Sequence, residues 1–473
     1  HRDLHSFPTR RSSDLEPTAK GNFVCAADAS SCEKGSAAGS SAAERPSPDG
    51  KQILFVRDHN LWLRDADGGR QKPVTDDGME GFAYGSLGVE LSRVERRRRH
   101  QPATLMSASW SPDGRYIAAM RVDLRNVPLR PVVTEHLPPD NTFAVTHLDR
   151  VIVAADRIAP TRKITVVDTR TGKATTSDID PAKLHDFAPL HFASNHLWWN
   201  LKDGELFFVT ADHGGQTYGI AGMNLATGAT RAVIAESEEY YFAFNARDYN
   251  RPNFHVTSEG KDAIFYSQRS GSGHLYRYDA SSGKLRNAIT KGPWSVFDLI
   301  RVDEKSRQVY FTAGGREPGR NPYYPHLYRV SFDGSGLELL TPEDGVHEFH
   351  TSGLPIIDSG SAQSQFSPSG KYFVDVFSTL ERPPIMVVRT ARGQLVSQIM
   401  MADISALEAT GWKPPARVIV KAADGATDLY GAMFRPIQFD PSLSYAVVDQ
   451  TYPGPQTNSA PHSFVDNFAA MTT

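Results

Sequence analysis

Cysteine is nearly absent from this 473-residue chain: Cys25 and Cys32 are its only two. Both lie in a small-residue stretch near the N-terminus. A disulfide framework is thereby excluded as what holds the fold together, while a local loop between the two stays open. Long apolar runs are missing too; no stretch approaches the roughly 20 consecutive apolar residues that a membrane-crossing helix needs. Charge of one sign is scarce. The net charge is −3, from 51 Lys and Arg against 54 Asp and Glu, which removes any bulk attraction to nucleic acid or an anionic membrane. Metal-binding spacings are wanting, because His185, His191 and His196 stand five or six apart in a loop rather than at ligand spacing. No metal or nucleotide cofactor is implied. A nucleophile elbow, Gly-x-Ser-x-Gly, does not occur. Glycines four apart carry Ala37, Ala83, Thr217 and Glu317 at their centres, and none of these supplies the serine.

What the chain has is turns. Hydrophobic residues make up 40% and charged residues 22%, with 37 Gly and 31 Pro, a balance that favours a globular, all-β body. The length allows two or more domains or one large repeat architecture. The opening, His5-Ser6-Phe7-Pro8-Thr9-Arg10-Arg11-Ser12-Ser13-Asp14-Leu15, reads as the conceptual translation of a sequencing adapter, and residues 1–15 are set aside from fold reasoning. Residues 16–45, rich in Ala, Ser and Gly, read as a flexible leader. A signal peptide upstream would direct the chain to the periplasm or the exterior; without one, the cytoplasm is expected.

Two turn types alternate. The first is Ser-Pro-Asp-Gly or a relative, at 47–50, 111–114, 201–204, 258–260 and 367–370. Proline presets φ, Asp bonds back to the backbone, and Gly takes the positive φ. A β-rich stretch follows each, at 53–56, 116–120, 205–210, 263–267 and 372–377. The second type ends an alternating strand: 62–69, 164–172, 223–228, 275–283 and 327–334, with 389–393 as a sixth. These predict hairpins between the outer strands of small sheets. A unit of about 40–60 residues with four short strands is the pattern of a β-propeller blade, with a β-sandwich as the competing fold. Longer insertions interrupt the units, notably 121–162.

Beyond Trp412-Lys413-Pro414-Pro415 the pattern changes. Residues 417–421 and 429–434 read as two strands joined by a turn at 423–426. The apolar run 444–448 reads as a buried third strand leading to the tight loop Tyr452-Pro453-Gly454-Pro455.

This order of segments resembles the prolyl oligopeptidase family of serine peptidases, most closely its dipeptidyl-peptidase IV branch. The resemblance runs from about residue 46 to the end. It is carried by Ser109-Trp110-Ser111-Pro112-Asp113-Gly114, by Arg251-Pro252-Asn253-Phe254, by Ile289-Thr290-Lys291-Gly292-Pro293-Trp294 and by Asp449-Gln450-Thr451-Tyr452-Pro453-Gly454-Pro455. It implies a propeller of seven to eight blades, eight favoured, over 46–405, followed at 406–473 by the first strands of a truncated α/β-hydrolase domain. It further implies a serine-type exo- or oligopeptidase acting on small peptides, with a Ser-Asp-His triad expected beyond residue 473 and this fragment inactive alone. By the same resemblance Tyr452 donates its phenolic O–H in the oxyanion hole and Arg251 binds substrate. Peptide substrates are the implied partners, with a second copy of the chain as a further candidate; nucleic acid is not.

One departure bears on specificity. The branch binds a free α-amine with paired glutamates just before the Trp-Ser-Pro segment, where this chain has Arg96-Arg97-Arg98-Arg99-His100-Gln101. Glu90 and Glu95 match only with a shifted alignment, and Glu238-Glu239, in a different blade linker, reads as a solvated acidic patch. Release of dipeptides from free N-termini is therefore in doubt. The five arginines within 93–99 read as a solvated loop, since no aromatic platform accompanies them. Ser270-Gly271-Ser272-Gly273 reads as a hairpin turn, having no helix after it. The rival functional reading is a non-catalytic propeller that binds a peptide or protein.

Overall fold

The repeated turns set the frame. In the computed structural model the Ser47 hydroxyl donates to Asp49 Oδ1 at 2.6 Å and accepts the Gln52 N–H at 2.9 Å, while the Gly50 N–H closes on the Ser47 carbonyl at 2.9 Å. The same three bonds recur at Ser111, Asp113, Tyr116 and Gly114, at 2.6, 2.8 and 2.9 Å. Gly50, Gly114, Gly204, Gly260 and Gly370 all take φ between +63 and +70°, a region glycine enters without steric cost.

Each such turn joins the first and second strands of an antiparallel sheet. The first sheet runs Glu44–Pro46, Gln52–Arg57, Asn60–Asp65 and Gln71–Pro73 in spatial order. Four more four-stranded sheets follow over 197–237, 255–288, 295–339 and 346–401, each in simple sequential order. The second sheet, 82–176, has five strands because its inner position is shared by Phe82–Tyr84 and Ala108–Trp110, both paired with Tyr116–Asp123. Its insertion carries a hairpin of Leu129–Val133 with Thr146–Arg150. The structure describes residues 44–85, 107–133, 146–153, 156, 158, 160–184, 196–239, 243–246, 251–349, 365–450 and 460–464, and the strands at 23–25 and 32–34.

Central strands are buried along their whole length: Asp262–Ser267 throughout, and Gln308–Gly314 in all but its first residue. A strand covered on both faces needs a continuous apolar run rather than alternation, which is what a blade wedged between two neighbours demands. Outer strands such as Leu395–Met401 are largely exposed. Core clusters accordingly cross sheet boundaries. One joins Phe207 and Ile220 of the third sheet to Phe265 of the fourth and Phe311 of the fifth. Consecutive sheets also touch through the second turn type. A Cβ on Gly228 would lie 2.3 Å from the Thr176 carbonyl oxygen, on Gly283 2.3 Å from that of Val233, and on Gly393 2.6 Å from that of Leu340. These three hairpin tips thus press on the outer edge of the preceding sheet. This stepwise stacking is the β-propeller expected from the repeat.

A further repeat escaped the turn pattern. A hydroxyl just after the outer strand accepts the N–H of a residue in the third strand: Thr75 from Leu61 at 3.0 Å, Ser177 from Ile164 at 3.1 Å, Thr290 from Leu275 at 3.0 Å and Thr341 from Leu327 at 2.9 Å. In the sixth sheet a buried ionic group adds its own clasp. Asp375 receives His347 Nδ1 at 2.8 Å and Arg389 Nε at 2.9 Å, and Arg389 Nη2 reaches Glu343 at 2.6 Å.

Two expectations are corrected. Residues 444–449, expected as a buried third strand, pair with nothing among the described residues, and Val447 and Val448 are 91% and 90% exposed. An apolar run becomes a strand only where a neighbour accepts its backbone groups. The hairpin before it forms as expected, Ala416–Lys421 with Asp428–Met433. Within 16–45, expected as flexible, Phe23–Cys25 pairs with Cys32–Lys34, with Cys25 opposite Cys32, since backbone pairing needs no large side chains.

Candidate functional site

In an antiparallel meander the turns between strands one and two and between three and four lie at one end. The connection between strands two and three, and the crossover to the next sheet, lie at the other. Arg251 sits on the crossover leading into His255–Val256, the inner strand of the fourth sheet. It therefore shares an end with the connections 268–273, 315–325 and 379–384 of the last three sheets.

The chain around Arg251 is held by buried polar groups. Asn245 donates its amide to the Arg251 carbonyl at 3.1 Å and to Asp298 Oδ1 at 2.9 Å. Asn253 donates to the Phe297 carbonyl at 2.8 Å and accepts the Leu299 N–H at 2.7 Å. His196 Nε2 lies 2.9 Å from the Pro252 carbonyl oxygen and its ring meets Trp198 edge-on, with centroids 5.8 Å apart. That ring is engaged in packing. Phe254 stacks on Phe265 at 4.4 Å, so the segment after Arg251 plunges directly into the core. Arg251 as a residue is half-buried.

The chain beyond the sheets returns to this same end. His462 lies flat on Tyr323, with centroids 5.2 Å apart, and its Nδ1 is 3.4 Å from Asn321 Nδ2. The Phe464 N–H donates to Ser378 Oγ at 3.1 Å, and the Phe464 ring packs on Trp412 at 5.5 Å. Arg417, in the hairpin, grips Glu381 with Nε at 2.9 Å and Nη2 at 2.6 Å while standing 5.8 Å over Tyr324. Hydrogen bonding to Glu381 pushes the Arg417 guanidinium up, and burial opposes it. Burial pushes the Glu381 carboxyl up, but bonds from Arg417 and Thr379 outweigh it and hold it below its ordinary range.

Of the sequence-derived site residues, Arg251 is found on this face. Tyr452 lies outside the described residues, as do His185, His191 and the 93–99 arginines. Glu238 and Glu239 are pinned beside the loop at 211–217. The Glu238 N–H donates to the Gln216 carbonyl at 2.8 Å, and Gln216 Nε2 donates to the Glu239 carbonyl at 3.0 Å. Ser270-Gly271-Ser272-Gly273 is the hairpin turn expected, with the Gly271 N–H on the Gln268 carbonyl at 2.9 Å. Among the described residues no group of three or more His, Cys, Asp and Glu side chains could hold a metal, and no helix is long and apolar enough to cross a membrane. Sequence reasoning missed Asn245, Asp298 and His462, which carry no motif. This face carries a cation, aromatic rings and carbonyls held in place by neighbouring side chains.

Stacked antiparallel sheets bearing a docked extension on their crossover face define a β-propeller with an appended unit. The chain belongs to the dipeptidyl peptidase IV (DPP IV) N-terminal region family, whose match spans residues 16–384. It is 22% identical over 441 residues, 89% of this chain, to a protein named probable dipeptidyl-aminopeptidase B from Aspergillus terreus, of which it covers 45%. It is 26% identical over 194 residues to dipeptidyl peptidase 4 of Trichophyton rubrum, covering 40% of this chain and 22% of that protein. The crystal structure of Porphyromonas gingivalis dipeptidyl peptidase 4 superposes with a TM-score of 0.63 at 20% identity, over 85% of this chain and 51% of that one. The chain thus spans about half the length of the relatives it matches.

Proposed function

We propose that this chain is the propeller-bearing part of a serine-type peptidase of the dipeptidyl-peptidase IV type, acting on small peptides, with its Ser-Asp-His triad supplied by residues beyond 473. In this reading 46–405 form the propeller and 406–473 the first part of the catalytic domain. The single observation that carries it is the seating of the post-propeller hairpin and of His462 on the face that holds Arg251. A lid so attached presents its binding groups to whatever chemistry the appended unit contains. Arg251 takes a carbonyl or carboxylate of the bound peptide, as suits a planar guanidinium. Tyr452 donates to the oxygen of the tetrahedral intermediate, where charge develops.

The test uses the full-length protein from the source gene and chromogenic X-Pro and X-Ala dipeptides with free and with blocked amines. Hydrolysis is expected. Tyr452→Phe should lower kcat on the order of 10²–10³-fold, the scale of one lost oxyanion donor, with little change in KM. Arg251→Ala should raise KM. Equal rates on free and blocked amines would exclude recognition of the α-amine, in keeping with the basic stretch at 96–99. A full-length protein that binds peptides and cleaves none would overturn the peptidase reading and leave a binding propeller.

A further inference from the structure

Strand Ser295–Asp303 breaks its register with Gln308–Gly314 between Val296 and Leu299, so that Phe297 and Asp298 together oppose the single residue Thr312. Such a bulge leaves backbone groups without ladder partners and re-aims the side chain it carries. Here the orphaned groups are taken by one amide. Asn253 accepts the Leu299 N–H at 2.7 Å and donates to the Phe297 carbonyl at 2.8 Å, substituting for the missing stretch of neighbouring strand. The bulge also turns the Asp298 carboxylate toward Asn245 Nδ2, at 2.9 Å, while the Asp298 N–H donates to Thr312 Oγ1 at 3.1 Å. Asn245, Asn253 and Asp298 are each no more than 3% exposed, in surroundings where a polar group persists only if satisfied.

The Asn245 amide has two hydrogens. They serve three acceptors: Asp298 Oδ1 at 2.9 Å on the bulge of the fifth sheet, and Asn253 Oδ1 at 3.2 Å and the Arg251 carbonyl at 3.1 Å on the lead-in to the fourth. The main chain carrying Arg251 is therefore located from the neighbouring blade. Asn253, two residues on, makes the same crossing. We propose that Asn245 and Asp298 are positioning residues for Arg251: the Asp298 bulge orients the Asn245 amide, and that amide sets where the Arg251 guanidinium meets a bound peptide. This rests on the peptide-binding role of Arg251 proposed above. A group misplaced by about 1 Å loses much of its effect on substrate, so the network matters to binding beyond its share of stability.

Four variants of the full-length protein test this: Arg251→Ala, Asn245→Ala, Asn245→Asp and the exchange Asn245→Asp with Asp298→Asn. KM and kcat on an X-Pro chromogenic peptide and the thermal midpoint are read for each. Asn245→Ala should raise KM in the direction of Arg251→Ala, on the order of tenfold, the scale of one interaction with a charged group, with kcat held. Asn245→Asp sets two carboxylates together and should lower the midpoint as well. In the exchange, the amide introduced at position 298 donates to the carboxylate introduced at position 245, and the midpoint should recover most of what Asn245→Asp loses. KM should stay high, because a carboxylate cannot donate to the Arg251 carbonyl. Return of KM together with the midpoint would show a merely structural role and overturn the inference. So would an unchanged KM in Asn245→Ala beside a raised one in Arg251→Ala, which leaves the role of Arg251 standing. An unchanged KM in Arg251→Ala itself would remove that role and this inference with it.

Discussion

His462 lies on Tyr323 with ring planes only 8° from parallel and centroids 5.2 Å apart, while Tyr324 meets the same imidazole edge-on at 6.4 Å. Two adjacent tyrosines of one propeller loop thus enclose a ring from the far end of the chain. Aromatic pairs of this kind contribute about 0.5–1.5 kcal/mol beyond their buried area. Tyr323→Ala should therefore release 460–464 without unfolding the sheets. Hydrogen exchange checks it: faster exchange at the Phe464 N–H, with the central strands unchanged, is the expected outcome.

Asp375 is wholly buried between His347 and Arg389. Burial pushes its carboxyl up, yet the bonds from those two partners hold it below the ordinary range. Asp375→Ala strands the Arg389 guanidinium, itself 2% exposed, beside Glu343 alone. Loss of one partner of a buried ion pair costs about 3–5 kcal/mol, and urea unfolding should show a loss of unfolding free energy of that size. Asp375→Asn keeps an acceptor and should cost less.

Acid should act in two stages. His326 is pushed down to about 4, by burial first and then by the charge of His347, from 6.5. The unfolded chain takes that proton more readily, so this contribution is full above about 6.5 and fades as pH falls toward 4. Burial pushes the Glu304 carboxyl up, but bonds from His255 and Ser258 outweigh it and hold it at about 2, against 4.5. Its contribution is present above 4.5 and lost as pH falls toward 2. Urea midpoints measured from pH 8 to pH 2 should show both declines. His326→Gln should flatten the first and Glu304→Gln the second.

Gly172 and Gly283 occupy the same place in their hairpins, at φ +73° and +69°. A Cβ on Gly172 meets nothing within 4 Å, whereas one on Gly283 would sit 2.3 Å from the Val233 carbonyl oxygen. Gly172→Ala should cost only the left-handed strain, about 1–2 kcal/mol. Gly283→Ala adds a clash with the preceding sheet and should cost clearly more. Calorimetric midpoints of the two variants compare them directly, and equal losses would count against the stacking of consecutive sheets.

The propeller was legible because its signals are local. Ser47 with Asp49, and Ser111 with Asp113, make their bonds within five residues, so turn chemistry is written in adjacent letters. The second strands at 52–57, 116–123, 205–211, 262–267 and 372–378 begin within two residues of those turns, and none falls outside the expected stretches by more than three residues. The hydroxyl rungs at Thr75, Ser177, Thr290 and Thr341 were not legible, since a threonine after a strand has no distinguishing neighbours.

The sequence by itself determined the repeat, the all-β class and the change of pattern after Trp412, because periodicity and turn residues act over a few positions. Tertiary structure alone decided the rest. It set Asn245 against Asp298, 53 residues away, through a bulge that no composition announces. It seated His462 on the propeller loop, and it left 444–449 unpaired although the run reads as a strand. Each of these depends on what a distant backbone offers as a partner, and pairing energy belongs to both partners at once.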